Sequence, residues 1–108
     1  MQRLRAAARA SAARRIAVEE IVTRGGLPVV LGGDHSITAP VVEAMAALPG
    51  AARPHVVQFD AHLDFVDVRH GVRYGHGNCM KRCSEMAHVS GLTPVSYTHL
   101  TLPTICSV

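Results

Sequence analysis

His55-Val56-Val57-Gln58-Phe59-Asp60-Ala61-His62-Leu63-Asp64 is the stretch on which the reading of this chain turns. Its first six residues are rich in β-branched and aromatic side chains and predict a strand buried on both faces, as strands of parallel sheets usually are. Upstream, Pro28-Val29-Val30-Leu31 runs into Gly32-Gly33-Asp34-His35-Ser36 in the same way: a short apolar strand ending in acid and histidine. Between the two, Thr38 to Leu48 predicts a helix with Pro40 in its first turn and Val41, Val42, Met45 and Leu48 as its apolar stripe. Pro49-Gly50 ends it. Strand, helix, strand predicts a βαβ unit with a right-handed crossover, in which strands 28–31 and 55–60 lie parallel. The expected fold class is α/β.

Working outward, residues 3–24 predict a helix rich in Ala and Arg, stopped by Gly25-Gly26 with Pro28 beyond. From Ala61 to Gly77 no periodicity holds, and the abundance of His, Asp, Arg and Gly marks a functional loop. Asn78 to Val89 predicts a third helix, with Asn78 as N-cap and Met80, Cys83, Met86 and Ala87 turned inward. After Gly91-Leu92-Thr93-Pro94 the character changes. Val95 to Thr104 resembles the translation of a transposase-type sequencing adapter. The expected division is therefore a partial domain at 1–94 and a non-native tail at 95–108, and the competing reading is an edge strand ending at Pro103.

At 108 residues the chain is the size of one domain with a thin stability margin. Its net charge of +3 is concentrated at the start: Arg3, Arg5, Arg9, Arg14 and Arg15 all precede the first acid, Glu19. That run suits a presequence or a nucleic-acid arm. It suits better the solvated face of a helix, because the pattern continues unbroken into Ile16, Val18, Ile21 and Val22. With only Tyr74, Tyr97, Phe59 and Phe65 aromatic, stacking platforms for bases are not expected. No apolar run approaches the ~18 residues of a membrane span. Three cysteines, Cys79, Cys83 and Cys106, argue against a disulfide framework or a zinc site and for a reducing, cytoplasmic setting.

Both candidate motifs fall at the carboxyl ends of predicted parallel strands, where loops converge on ligands. In extended backbone Asp60, His62 and Asp64 point the same way. Three ionisable groups at the end of an apolar strand are costly to hold without a cation. Carboxylates with imidazole, and no thiolate, suit Mn²⁺ or another first-row dication. From the adjacent strand His35 is placed to join them, with ligand and structural readings level for it alone. Asp34 is read as a turn-former that bonds backbone N–H groups.

Gly32-Gly33-Asp34-His35-Ser36 and Asp60-Ala61-His62-Leu63-Asp64, spaced as they are, resemble the first two signature motifs of the ureohydrolases, the arginase and agmatinase family. The resemblance implies a fragment of a three-layer α/β/α fold with a parallel sheet. It also implies two Mn²⁺ per complete site, with His35 and Asp64 on one ion, His62 on the other and Asp60 bridging both. The family's third signature supplies two further aspartates and is not in this chain, so the fragment itself is expected to be inactive. His76-Gly77-Asn78 occupies the place of the family's proton-shuttling histidine, which makes His76 the catalytic candidate. His70, His55, His88 and His99 need no function.

The implied reaction releases urea and an amine from a guanidino compound through a hydroxide bridging two Mn²⁺. Arginases in the family bind an amino-acid carboxylate with Asn and Ser in the loop where this chain has Val66, Asp67, Arg69, Arg73 and Tyr74. The expectation is therefore an agmatinase-like enzyme, acting on agmatine, guanidinobutyrate or a similar substrate, with Asp67 as a weak candidate for meeting a cationic tail. Alternatives are a truncated metal-binding domain without catalysis, an arginase or a formimidoyl-type hydrolase of the same family. A basic nucleic-acid module built on the Arg-rich helix is the rival outside it. Expected partners are a small guanidino substrate, no nucleic acid and no membrane, with a homo-oligomeric full-length parent.

Overall fold

A computed structural model describes residues 2–96 of the chain. Helix α1 spans Gln2–Thr23, as the Ala and Arg content predicts. Its exit is a Schellman motif. Gly25, at φ +78°, donates to the Val22 carbonyl at 3.0 Å, and the Gly26 N–H reaches the Ile21 carbonyl at 2.9 Å. The second half of α1 carries the packing: Val18 and Val22 are buried against Ala44, with Val41, Met45 and Leu48 around them. The first half, with Arg3, Arg5, Arg9 and Arg14, is exposed.

Helix α2 spans Thr38–Ala44, extended by single 3₁₀ turns at His35–Ile37 and Met45–Ala47. Strand β1 spans His55–Asp60, helix α3 Cys79–Ser84 and strand β2 Gly91–Ser96. The two strands pair in parallel, with Phe59 opposite Val95 and Asp60 opposite Ser96. A βαβ unit is thus present, but one element later than the sequence suggests: it is β1-α3-β2, not 28–31 with 55–60.

Three expectations are corrected. Residues 28–31 form no strand, and Leu31 is 89% exposed. A strand exists through its ladder, and no described residue offers this segment one. Second, β1 is covered on one face only. Gln58 is buried over a cavity of about 470 Å³ that it shares with Met80 of α3 and Leu92 of β2, while Val57 and Phe59 on the other face stand 51% and 78% exposed. Third, α3 ends at Ser84 rather than Val89; Cys83 is buried, whereas Ala87 is exposed.

Pairing also crosses the boundary expected at Pro94. Val95 and Ser96 continue β2, with Pro94 itself tolerated because, among the described residues, one edge of this strand has no partner. The rest of the expected tail, residues 97–108, lies outside the described residues, as do His99, Cys106 and the competing strand end at Pro103. Among the described residues no helix is long and apolar enough to cross a membrane.

Candidate metal centre

Left-handed Gly32 and Gly33, at φ +86° and +74°, turn the chain out of the extended segment and into the 3₁₀ turn that carries His35. Asp34 caps that turn. Its Oδ1 accepts the Ser36 backbone N–H at 2.8 Å and the Ser36 hydroxyl, and these two bonds hold its carboxyl below the usual carboxylate range. The structural role read for Asp34 from sequence matches this geometry.

His35 is thereby placed across from the carboxyl end of β1. Its Nδ1 lies 2.5 Å from Asp64 Oδ2 and 3.5 Å from Asp60 Oδ2. Two chain segments twenty-five or more residues apart converge here on one imidazole and two carboxylates, all partly buried. Donors on adjacent corners of an octahedral shell with bonds of ~2.1 Å stand roughly 3 Å apart. The observed spacings bracket that value, and the nitrogen and oxygen donors suit a first-row dication. By the chemistry of its donors this set suits a divalent cation, with His35 and Asp64 as its tightest pair.

His62 stands apart from this cluster. Its backbone N–H donates to Asp60 Oδ1 at 2.8 Å, while its ring is exposed and its Nδ1 lies 3.7 Å from the same oxygen. Strand alternation stops at Asp60, and Asp64 is left-handed at φ +50°, so the i, i+2, i+4 alignment does not carry through the turn. The Gln58 side chain donates to the His62 carbonyl at 3.0 Å and ties this turn to β1.

Cys79 joins the centre unannounced. Its Sγ lies with the ligand atoms of His35 and Asp64 inside a span of 4.8 Å. Burial, reinforced by the Asp64 charge, pushes its thiol up to about 12, so it sits there protonated. One turn on, Cys83 is pushed up to about 11 by burial. The folded Cys83 thiol thus stays neutral while an unfolded one ionises from about 9.0. Its contribution to stability is complete below that pH and is lost as pH rises to about 11. Urea unfolding at stepped pH should show this alkaline decline, and Cys83→Ala should lessen it, leaving the part that buried Cys79 contributes; equal slopes in both proteins would refute the assignment.

The loop between Asp64 and α3 is folded on Asn78, which is 2% exposed. Its Oδ1 accepts the Gly75 N–H at 3.1 Å, and its Nδ2 donates to the Val66 carbonyl at 2.7 Å and the Asp67 carbonyl at 3.4 Å. Asn78 is the N-cap residue of α3, as the sequence reading has it, but its side chain makes no capping bond. His76 is exposed beside this clasp, and its charge helps to hold the Asp34 carboxyl down. Asp67, the weak substrate candidate, is already engaged. Arg82 bonds its Oδ1, Arg73 lies 3.8 Å away, and the Arg82 bond lowers its pKa.

Comparison with known proteins adds an independent finding. The sequence profile of the arginase family matches residues 4–101. The chain is 43% identical over 72 residues to the mitochondrial guanidino acid hydrolase of Homo sapiens, an alignment covering 65% of this chain and 20% of the relative. It is 41% identical over 69 residues to the mitochondrial agmatinase of Gallus gallus, covering 64% and 20%. With the guanidinobutyrase of Pseudomonas aeruginosa it shares 37% identity over 67 residues, covering 62% and 20%. The chain thus matches about a fifth of the length of these relatives.

Proposed function

The chain belongs to the arginase family, and we propose that it carries half of a two-manganese site that hydrolyses a guanidino compound to urea and an amine. The observation behind this reading is the convergence of His35 on Asp60 and Asp64, at 3.5 and 2.5 Å, from two separate segments. His35, Asp60 and Asp64 would hold one dication, and His62, exposed on the turn beside Asp60, would reach for the second. The two further aspartates implied by the family resemblance have no counterpart here. Of the four Asp residues in the chain, Asp34 is turned to Ser36 and Asp67 to Arg82.

When bound, the metal pair supplies a water acidified towards neutral pH. The chain's own part is to position and to move protons. Asp60 and Asp64 bring negative charge to the end of β1, and His35 lies within 3.5 Å of both. His76, exposed at the loop's end, is the group that would hand a proton to the departing amine nitrogen. Nothing here requires a covalent intermediate.

Urea release is the direct test. The 108-residue chain is expected to bind Mn²⁺ and release no urea. A protein of the relatives' full length is expected to release urea from guanidino substrates, and chelation should stop it. Turnover untouched by chelation, or none from the full-length protein with Mn²⁺, would overturn the proposal.

A further inference from the structure

Sulfur forms one wall of the metal centre. Cys79, the first residue of α3, is 1% exposed, and its Sγ falls within a 4.8 Å span that also holds ligand atoms of His35 and Asp64. Three separate segments meet there: the 3₁₀ turn at His35, the left-handed turn at Asp64 and the start of α3. The backbone fastens this approach. The Met80 N–H, one residue past the thiol, donates to the Asp64 carbonyl at 3.1 Å. Burial alone does not set Cys79 apart, because Cys83, one turn on, is 0% exposed and belongs to no such group among the described residues.

His35 and Asp64 therefore belong to two sets of three donors. With Asp60, whose Oδ2 lies 3.5 Å from His35 Nδ1, they offer nitrogen and oxygen alone. With Cys79 they offer nitrogen, oxygen and sulfur. The third donor decides which cation gains most. Carboxylate oxygen suits Mn²⁺, whereas a thiolate selects zinc and softer ions. Three protein donors with a position left open is also the ligand count of catalytic zinc sites. What the thiol gives up is small: its Sγ donates to the His76 carbonyl at 3.5 Å, and S–H is a weak donor.

We propose that Cys79 is a metal ligand, and that with His35 and Asp64 it gives this centre a preference for a thiophilic dication such as Zn²⁺ over Mn²⁺. On binding, the S–H bond breaks, its proton passes to solvent and a sulfur–metal bond forms, with no change of oxidation state. This inference rests on the metal-centre reading above and concerns which cation the centre prefers, not the reaction.

The test uses the full 108-residue chain, stripped with a chelator and titrated with Co²⁺, Zn²⁺, Cd²⁺ and Mn²⁺. Co²⁺ should raise a near-ultraviolet sulfur-to-cobalt charge-transfer band, which Zn²⁺ displaces and equimolar Mn²⁺ does not. Cys79→Ser should abolish the band and lower Cd²⁺ affinity by about a hundredfold, the upper end of what losing even a supporting group costs. Mn²⁺ affinity should stay that of the parent. The double variant Cys83→Ala/Cys106→Ala, whose sole thiol is Cys79, should keep the band. That chain assigns the sulfur even where Cys79→Ser fails to fold. Co²⁺ binding without the band, or a band that survives in Cys79→Ser, overturns the role of Cys79 and leaves the metal centre standing. Failure of all four cations to bind, or binding that Asp64→Asn leaves unchanged, overturns the metal centre and the inference with it.

Discussion

Asp64→Asn is expected to lower Mn²⁺ affinity by about a hundredfold or more, since even changes to groups that merely support a ligand cost 10–100-fold. The substitution is informative because it leaves the backbone little to object to. Asp64 sits at φ +50°, a region Asn tolerates better than most residues. Its carbonyl, which accepts the Met80 N–H at 3.1 Å, is unaffected. What is lost is the charge 2.5 Å from His35 Nδ1. Titration calorimetry, with the Mn²⁺ spin-resonance signal as a second readout, measures the change. Asp34→Asn is the matched control, because that carboxylate bonds Ser36 and not the cluster. Wild-type affinity in Asp64→Asn, or an equal loss in Asp34→Asn, would show that the cation is held elsewhere.

Much of this centre was legible in the sequence because its chemistry is local. An acid and a histidine after a glycine pair, and three ionisable residues at the end of an apolar run, announce themselves without knowledge of the fold. The convergence of His35 with Asp60 and Asp64 follows from placing both motifs at one end of the molecule. Where the reading failed, the missing information was tertiary. Pro28 to Leu31 has strand composition but no partner among the described residues, whereas Gly91 to Ser96, to which the sequence reading gives no element, becomes a strand because β1 offers it a ladder. Alternation put His62 with the other ligands, but alternation ends with the strand at Asp60.

Polar residues with non-local partners were equally hard to see. Gln58 interrupts an apolar strand, and that interruption was a usable sign: it is buried and ties down the turn bearing His62. Asn78 was assigned by position to a helix cap. A side-chain amide has both donors and acceptors, however, and here the carbonyls of the preceding loop outcompete the end of a six-residue helix. Arg82 shows the cost of such arrangements. Its side chain is 2% exposed, and its Nε and Nη1 find no partner among the described residues, while Asp67 and Glu85 serve only Nη2. Burial of this guanidinium favours the loop geometry through Asp67 and gives up hydrogen bonds elsewhere.

Asn78→Ala is expected to destabilise the chain by about 2–4 kcal/mol, since it strands the Gly75 N–H and the Val66 carbonyl and each lost partner costs roughly 1–3 kcal/mol. Leucine at this position should do no better, because the deficit is hydrogen bonding and not volume. Asn78→Asp separates the two halves of the clasp. Its carboxylate still accepts from Gly75 but cannot donate to the Val66 and Asp67 carbonyls, and it faces their oxygens with a buried charge. Burial and those oxygens would raise its folded pKa above the unfolded value of about 3.9. A raised carboxyl contributes stability at low pH that is lost as pH rises through the folded pKa. The gap between Asn78→Asp and the parent should therefore narrow as pH falls towards that of the unfolded acid, whereas the gap for Asn78→Ala should stay constant. Urea unfolding of the three proteins across acid and neutral pH measures both gaps. A pH-independent deficit in Asn78→Asp would mean that the amide donor is not what closes the loop. If the clasp is as described, hydrogen exchange at Val66 and Gly75 should quicken in both variants, and Mn²⁺ affinity should weaken with it, because the same loop leads from Asp64 to His76.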